Sequence, residues 1–334
     1  MKTNLLIKTF FGAASLLVTS APPLLAHPDH SESIAIEDEP DLQLIASRFD
    51  VDAPVINISL SADKRVIESN GIPAHSIGRF PNRSNPNLIR SQDYSFQVPL
   101  NPVANEKATS MQGYMFGVAL NGVPFDPGTA EFYGSDRRRG WRFEAMSGAV
   151  PLGLDWNNAH VQPTGAYHYH SIPIGLLEKE EQAGRSMVLL GWAADGFPIY
   201  CPMSYRDPMN PDSEPVLLVS SYRIKSGQRP NDGSNPGGTY DGSFVEDYEF
   251  MEGLGDLDAC NGRFGVTPEF PEGTYYYVLT PNYPYIPRQF KGTPDISFLK
   301  PFGGHPDTPR PGTRSRGMER GPRPLLSPAA GPTE

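Results

Sequence analysis

A mainly β fold, sandwich- or barrel-like, in a single domain with many loops and one or two short helices, is what the sequence predicts. Three observations carry that expectation. Proline and glycine number 36 and 33 among 334 residues, and punctuation at that frequency leaves little room for long helices. Short runs of β-branched and aromatic residues recur along the chain. Between them stand Asn70-Gly71, Asn121-Gly122, Asp195-Gly196 and Asp241-Gly242, dipeptides suited to turning one strand back on another.

In chain order, the expected strands are Val55–Leu60 (entered after Pro54), Arg65–Ser69, Asp93–Val98, Tyr114–Leu120, Ala166–Ser171, Ser186–Trp192, Phe197–Tyr200 and Tyr275–Leu279. Asp195-Gly196, between two of these runs, reads as a type I′ hairpin turn. One helix is expected at Ile174–Ala183, entered after Pro173 and closed by Gly184. No internal repeat is evident. Tyr275-Tyr276-Tyr277 and Tyr283-Pro284-Tyr285 form an aromatic-rich end to the body, read first as strand packing.

The domain is expected to span 51–300. Ahead of it, residues 1–26 have the pattern of a secretory signal: Lys2, a largely apolar Leu5 to Val18, and Ala26 at the exit. The apolar run is too short to favour a membrane span, so none is expected after the signal is removed. No cysteine stands near the cleavage point, which excludes the lipoprotein form. An exported protein, periplasmic or extracellular, is the expectation. Residues 27–50 read as a flexible acidic arm. Residues 301–334, where Arg310, Arg314, Arg316, Arg320 and Arg323 lie among Pro and Gly, cannot repay their ordering entropy and are expected to be disordered.

The net charge of −10 argues against nucleic acid as a partner of the folded body. A small molecule or a cell-envelope component remains as the ligand class. Cys201 and Cys260 are the only cysteines. In an oxidising compartment two cysteines more often form a structural disulfide than stay free; a thiolate ligand to copper is the competing reading.

The chemistry concentrates in Asp155-Trp156-Asn157-Asn158-Ala159-His160-Val161-Gln162-Pro163-Thr164-Gly165-Ala166-Tyr167-His168-Tyr169-His170. Three of the seven histidines fall in its last eleven positions. Alternate strand residues share a face, so His168 and His170 project together and Tyr167 and Tyr169 oppose them. Pro163-Thr164-Gly165 reads as a three-residue hairpin loop with Gly at the position needing positive φ. That register sets Gln162 against Ala166, His160 against His168, and Asn158 against His170. Three imidazoles then share one face of one hairpin.

These strings resemble the YHYH family of exported bacterial proteins. Tyr167-His168-Tyr169-His170 and His160-Val161-Gln162-Pro163 carry the resemblance. Ser69-Asn70-Gly71-Ile72-Pro73, Asn121-Gly122-Val123-Pro124-Phe125, Ala194-Asp195-Gly196-Phe197-Pro198-Ile199-Tyr200 and Cys260-Asn261-Gly262 support it. The resemblance spans about residues 69 to 290 and implies export without implying an activity. It also implies glycine at the position of Cys201 in many relatives, which makes the disulfide a local feature.

Neutral imidazole suits Zn, Cu, Fe and Ni, so ligand type alone does not choose the metal. A divalent transition metal, Zn or Cu, is the expectation, and three protein ligands with an open fourth position is the catalytic zinc arrangement. His160, His168 and His170 are the candidate ligands. Asp155 and Asp195 are the candidate catalytic carboxylates, as ligand, orienting group or base, with Glu144 also available. Each aspartate has a plainer reading: Asp155 caps a turn through nearby amides, and Asp195 belongs to its hairpin. A buried His and Tyr hydrogen-bond network is the plainer reading of the histidines. Three functions stay open: a metal-dependent hydrolase, a non-catalytic copper or zinc binder, and a structural or binding β module without metal. No Gly-x-Ser-x-Gly elbow, phosphate loop or His-Glu-x-x-His pair is present, which argues against those enzyme classes.

Overall fold

The computed structural model describes residues 51–181 and 186–300. The expected leader, acidic arm and basic tail lie outside the described residues, as do positions 182–185 at the end of the expected helix.

The described chain is mainly β. The first strands, β1 (Ile56–Leu60), β2 (Lys64–Ser69) and β3 (Tyr94–Pro99), form an antiparallel three-stranded sheet in sequence order. The principal sheet uses β5 (Gly117–Ala119), β6 (Pro124–Phe125), β7 (Ala159–Val161), β8 (Tyr167–Tyr169), β9 (Leu189–Ala193), β10 (Pro198–Tyr200), β15 (Gly262–Gly265) and β16 (Thr274–Val278). Its order is β15-β16-β10-β9-β5-β6-β8-β7. Two neighbouring pairs, β10 with β16 and β6 with β8, are parallel, and the others are antiparallel. Small two-stranded ribbons complete the set: β4 (Thr109–Ser110) with β17 (Gln289–Phe290), β11 (Met203–Tyr205) with β12 (Pro215–Leu217), and β13 (Tyr222–Ile224) with β14 (Tyr248–Phe250). The helix α1 runs Ile174–Glu181 and follows Pro173, as expected.

One hydrophobic core joins the two larger sheets. It takes Ile67, Phe96 and Val98 from the three-stranded sheet, and Val118, Phe125, Ala159, Val161, Tyr167, Tyr169 and Ile199 from the principal one. Phe96 stacks on Phe298 at 4.6 Å, and Phe116 on Phe290 at 5.3 Å. Burying aromatic area on this scale dominates core energetics. A smaller cluster of Met187, Tyr200, Leu218, Leu257, Tyr276 and Val278 sits apart from it. Neighbouring Tyr276 and Tyr277 thus enter different clusters, as the two-residue strand period requires.

Three hairpins of the principal sheet close in the same way. Ala119 pairs with Val123, Gln162 with Ala166, and Ala193 with Phe197. Each loop therefore holds three residues and ends on a glycine of positive φ: Gly122 at 80°, Gly165 at 90° and Gly196 at 97°. This is a type I turn followed by a left-handed glycine. For Asp195-Gly196 the type I′ expectation is corrected, because Asp195 does not share the positive φ that such a turn requires of both central residues.

The disulfide expectation is also corrected. Cys201 and Cys260 are both buried free thiols. Cys201 follows β10 and Cys260 precedes β15, and β16 lies between those two strands. Two strand spacings separate them by roughly 9–10 Å, beyond the reach of about 7 Å between Cα atoms that a disulfide allows. Burial pushes the Cys260 thiol up to about 12 and raises Cys201 as well, so neither supplies a thiolate readily.

Candidate metal centre

The β7–β8 hairpin forms in the register its sequence dictates. His160 pairs with His168, flanked by Ala159 opposite Tyr169 and Val161 opposite Tyr167. One residue further, the His170 amide donates to the Asn158 carbonyl at 2.8 Å. Asn158 holds φ at 56°, a left-handed conformation that asparagine tolerates better than most residues. Its side-chain amide donates to the Ile172 carbonyl at 2.8 Å, which fixes both chain ends beside His170.

The two faces of this hairpin have opposite characters. Tyr167, Tyr169, Ala159 and Val161 enter the main core. His160, His168 and His170 converge on the other face, with ring centroids 4.7, 4.8 and 4.7 Å apart. One nitrogen from each ring lies within 4.8 Å of the other two. A common point therefore lies within about 2.8 Å of all three donors, against metal–nitrogen distances of about 2.0–2.1 Å. Side-chain shifts of under an ångström would close that gap, so the triad could hold a metal ion.

The three rings differ in how the fold holds them. Nδ1 of His160 lies 2.9 Å from the Leu152 carbonyl and 3.2 Å from Asn85 Nδ2; with its proton on Nδ1, donated to that carbonyl, the Nε2 lone pair is free. A backbone carbonyl on the outer nitrogen is a common way of orienting a ligating imidazole. Nδ1 of His168 lies 3.4 Å from the Ala166 carbonyl, a long contact. Both nitrogens of His170 are buried with no hydrogen-bond partner. Burial holds His168 down at about 3, lowers His160, and takes His170 well below its ordinary value. All three are neutral near pH 7, the form that binds metals.

The tyrosine face is satisfied by protein groups instead. Tyr167 donates to Asp155 Oδ2 at 2.7 Å, which also accepts the Gly78 amide at 2.9 Å. Oδ1 of Asp155 accepts the amides of Asn157 at 2.9 Å and Ala159 at 3.3 Å. Tyr169 donates to His75 Nε2 at 2.5 Å and accepts from Asn121 Nδ2 at 2.9 Å. The structure thus places Asp155 behind the hairpin, organising the turn that launches β7. Asp195 lies in the β9–β10 loop, where Oδ2 accepts from Tyr277 at 2.5 Å and from the Gly292 amide at 2.8 Å. Neither aspartate joins the histidine cluster.

A different carboxylate stands on the histidine face. Phe125 pairs with Tyr169 across the parallel β6–β8 ladder, and their rings lie 5.6 Å apart in the core. The next residue, Asp126, points the other way, onto the histidine face, and lies in electrostatic range of His168 and His160. Its amide donates to the Tyr169 carbonyl at 3.0 Å, and its Oδ1 accepts from Lys300 Nζ at 2.6 Å. Glu144 is buried and takes both its oxygens to Arg288, at 2.7 and 2.9 Å. Arg288 also donates to the Pro127 carbonyl at 2.8 Å. Asp126, Lys300 and Arg288 escape a local reading of the sequence, because the parallel pairing of β6 with β8 is what collects them.

A predominantly β protein with three converging histidines on one hairpin is the class that fold and site define. The family model for YHYH proteins matches residues 95–292, more than half of the chain, and the chain belongs to that family. No curated protein and no solved structure matches it significantly.

Proposed function

We propose that this YHYH protein is an exported metal-dependent hydrolase in which His160, His168 and His170 hold a divalent transition metal, Zn or Cu. The observation that carries the reading is His170. A buried imidazole with no protein partner at either nitrogen costs the fold about 1–3 kcal/mol, and a shared ion would take one of those nitrogens together with one from each neighbouring ring.

Held by three neutral imidazoles with a fourth position open, such an ion acts as a Lewis acid. The Leu152 carbonyl orients His160 for that role. Asp126 is the carboxylate placed to accept a proton on the histidine face, with Lys300 holding one of its oxygens. Asp155 and Asp195 act, in this reading, on the fold around the site. Export rests on the leader pattern of residues 1–26; among the described residues, no helix is long and apolar enough to cross a membrane.

A second reading, a non-catalytic copper or zinc binder, uses the same three ligands closed by a protein group. Asp126 would be that group. Elemental analysis of protein purified without chelator or His-tag tests both. One equivalent of metal per chain, lost in His168→Ala, supports the site; metal-free protein would overturn it. Solvent water exchanging at the bound ion separates the hydrolase from the binder.

A further inference from the structure

We infer that the site takes a substrate bearing a small oxyanion of phosphate-like charge, gripped by Arg142 and Lys300 over Gly128. The inference rests on the metal reading above and names the substrate class of that same site.

Gly128 lies two residues beyond Asp126, and its amide donates to Asp126 Oδ1 at 3.2 Å. A side chain at Gly128 would begin 3.2 Å from Arg142 Nη1, 3.5 Å from Lys300 Nζ and 3.6 Å from Asp126 Oδ1. Two cationic groups therefore close over Gly128, where a side chain would crowd the Arg142 guanidinium, beside the carboxylate that borders the histidines.

The charges around that gap are unequal in how they are matched. Arg288 is neutralised by Glu144 in a two-pronged ion pair. Lys300 is matched by Asp126, yet it uses only one of its three N–H donors on that carboxylate and stays 29% exposed. Arg142 stacks its guanidinium 5.0 Å over the Phe132 ring and makes no side-chain ion pair among the described residues. Glu246 accepts the Arg142 backbone amide at 2.8 Å. The Arg142 guanidinium is half-buried, with Arg288 and Arg137 disfavouring its charge and the Glu246 and Asp126 carboxylates in electrostatic range, but it is ion-paired to neither carboxylate.

A planar fork of N–H donors beside a point ammonium charge is the donor set that recognises phosphate and similar oxyanions. Lys300 reaches both sides of the arrangement: its ammonium touches Asp126 and lies within electrostatic range of His168 and His170. An oxyanion seated over Gly128 would place the rest of its molecule against the histidine face.

Calorimetric titration of inorganic phosphate into the metal-loaded full chain tests this, with metal content measured on every sample. Wild type is expected to bind phosphate, and Arg142→Gln to bind on the order of tenfold or more weakly, as for loss of a charge-assisted hydrogen bond. Gly128→Ala keeps both charges and fills the gap, and should weaken phosphate likewise. Arg138→Gln, at a side chain exposed to solvent, should leave it unchanged. Phosphate affinity unaltered in both Arg142→Gln and Gly128→Ala overturns the inference, as does wild type that carries metal but ignores phosphate. Protein that takes up no metal yet binds phosphate through Arg142 would sink the metal reading and leave the anion site standing.

Discussion

Replacing His170 with leucine separates a metal ligand from a core histidine by the sign of its effect. In the protein without metal, His170 buries two polar nitrogens that nothing satisfies. An unsatisfied buried group costs about 1–3 kcal/mol, while an apolar replacement of similar volume typically costs under about 1.5 kcal/mol in repacking. His170→Leu should therefore leave the chelator-treated protein no less stable, with a net gain of up to about 3 kcal/mol. With metal at a thousand times its dissociation constant, binding adds about 4 kcal/mol to the wild type, and the variant forfeits most of that. The order of stabilities then reverses. Urea unfolding at constant temperature, with and without chelator, reads this as two crossing midpoints. At roughly 2–4 °C per kcal/mol for a body of this size, thermal melts should resolve it too. A variant equally destabilised under both conditions would refute the reasoning and return His170 to the packed core.

Three other outcomes follow from the same geometry. Tyr169→Phe strands His75 and Asn121, both buried, and should cost about 1–3 kcal/mol in denaturant while leaving metal content per folded chain unchanged. Asp155→Ala removes an acceptor of four hydrogen bonds and should cost at least ~3 kcal/mol; loss of metal from folded Asp155→Ala protein would give Asp155 a place at the ion. Burial lifts the Asp195 carboxyl from 3.8 to about 6, so the fold favours its protonated form. That contribution is complete below about pH 4 and is lost as pH rises through 6, a change of roughly 3 kcal/mol relative to Asp195→Asn. His75, held down at about 4 by burial, runs the other way, losing stability as pH falls from 6.5 to 4. The Asp195 effect is therefore read as the wild-type minus Asp195→Asn difference in urea midpoint at each pH, and a flat difference would contradict it.

What the sequence disclosed was local. Alternation and a glycine-ended loop are properties of adjacent residues, and they were enough to set His160 opposite His168. The eight expected strands all have counterparts, because each was bounded by its own turn residues. Strand order is not local, and there the reading failed. Pairing Cys201 with Cys260 looked natural in an oxidising compartment, yet β16 inserts between their strands. Asp155 and Asp195 drew attention by standing close in sequence to the histidines or to a family string, and the structure spends both Asp155 oxygens and Oδ2 of Asp195 on backbone amides and tyrosines. Asp126 went unnoticed 34 positions before His160, since only the parallel ladder of β6 on β8 brings it alongside.

The claim beneath all of this is that one ion draws three imidazoles to a shared centre. X-ray absorption at the metal edge of protein purified without chelator tests it most directly. Three imidazole nitrogens at about 2.0–2.1 Å, with their ring scattering diminished in His170→Leu, is the expected spectrum. An edge signal unaffected by that substitution, or a first shell of sulfur at about 2.3 Å, would contradict it.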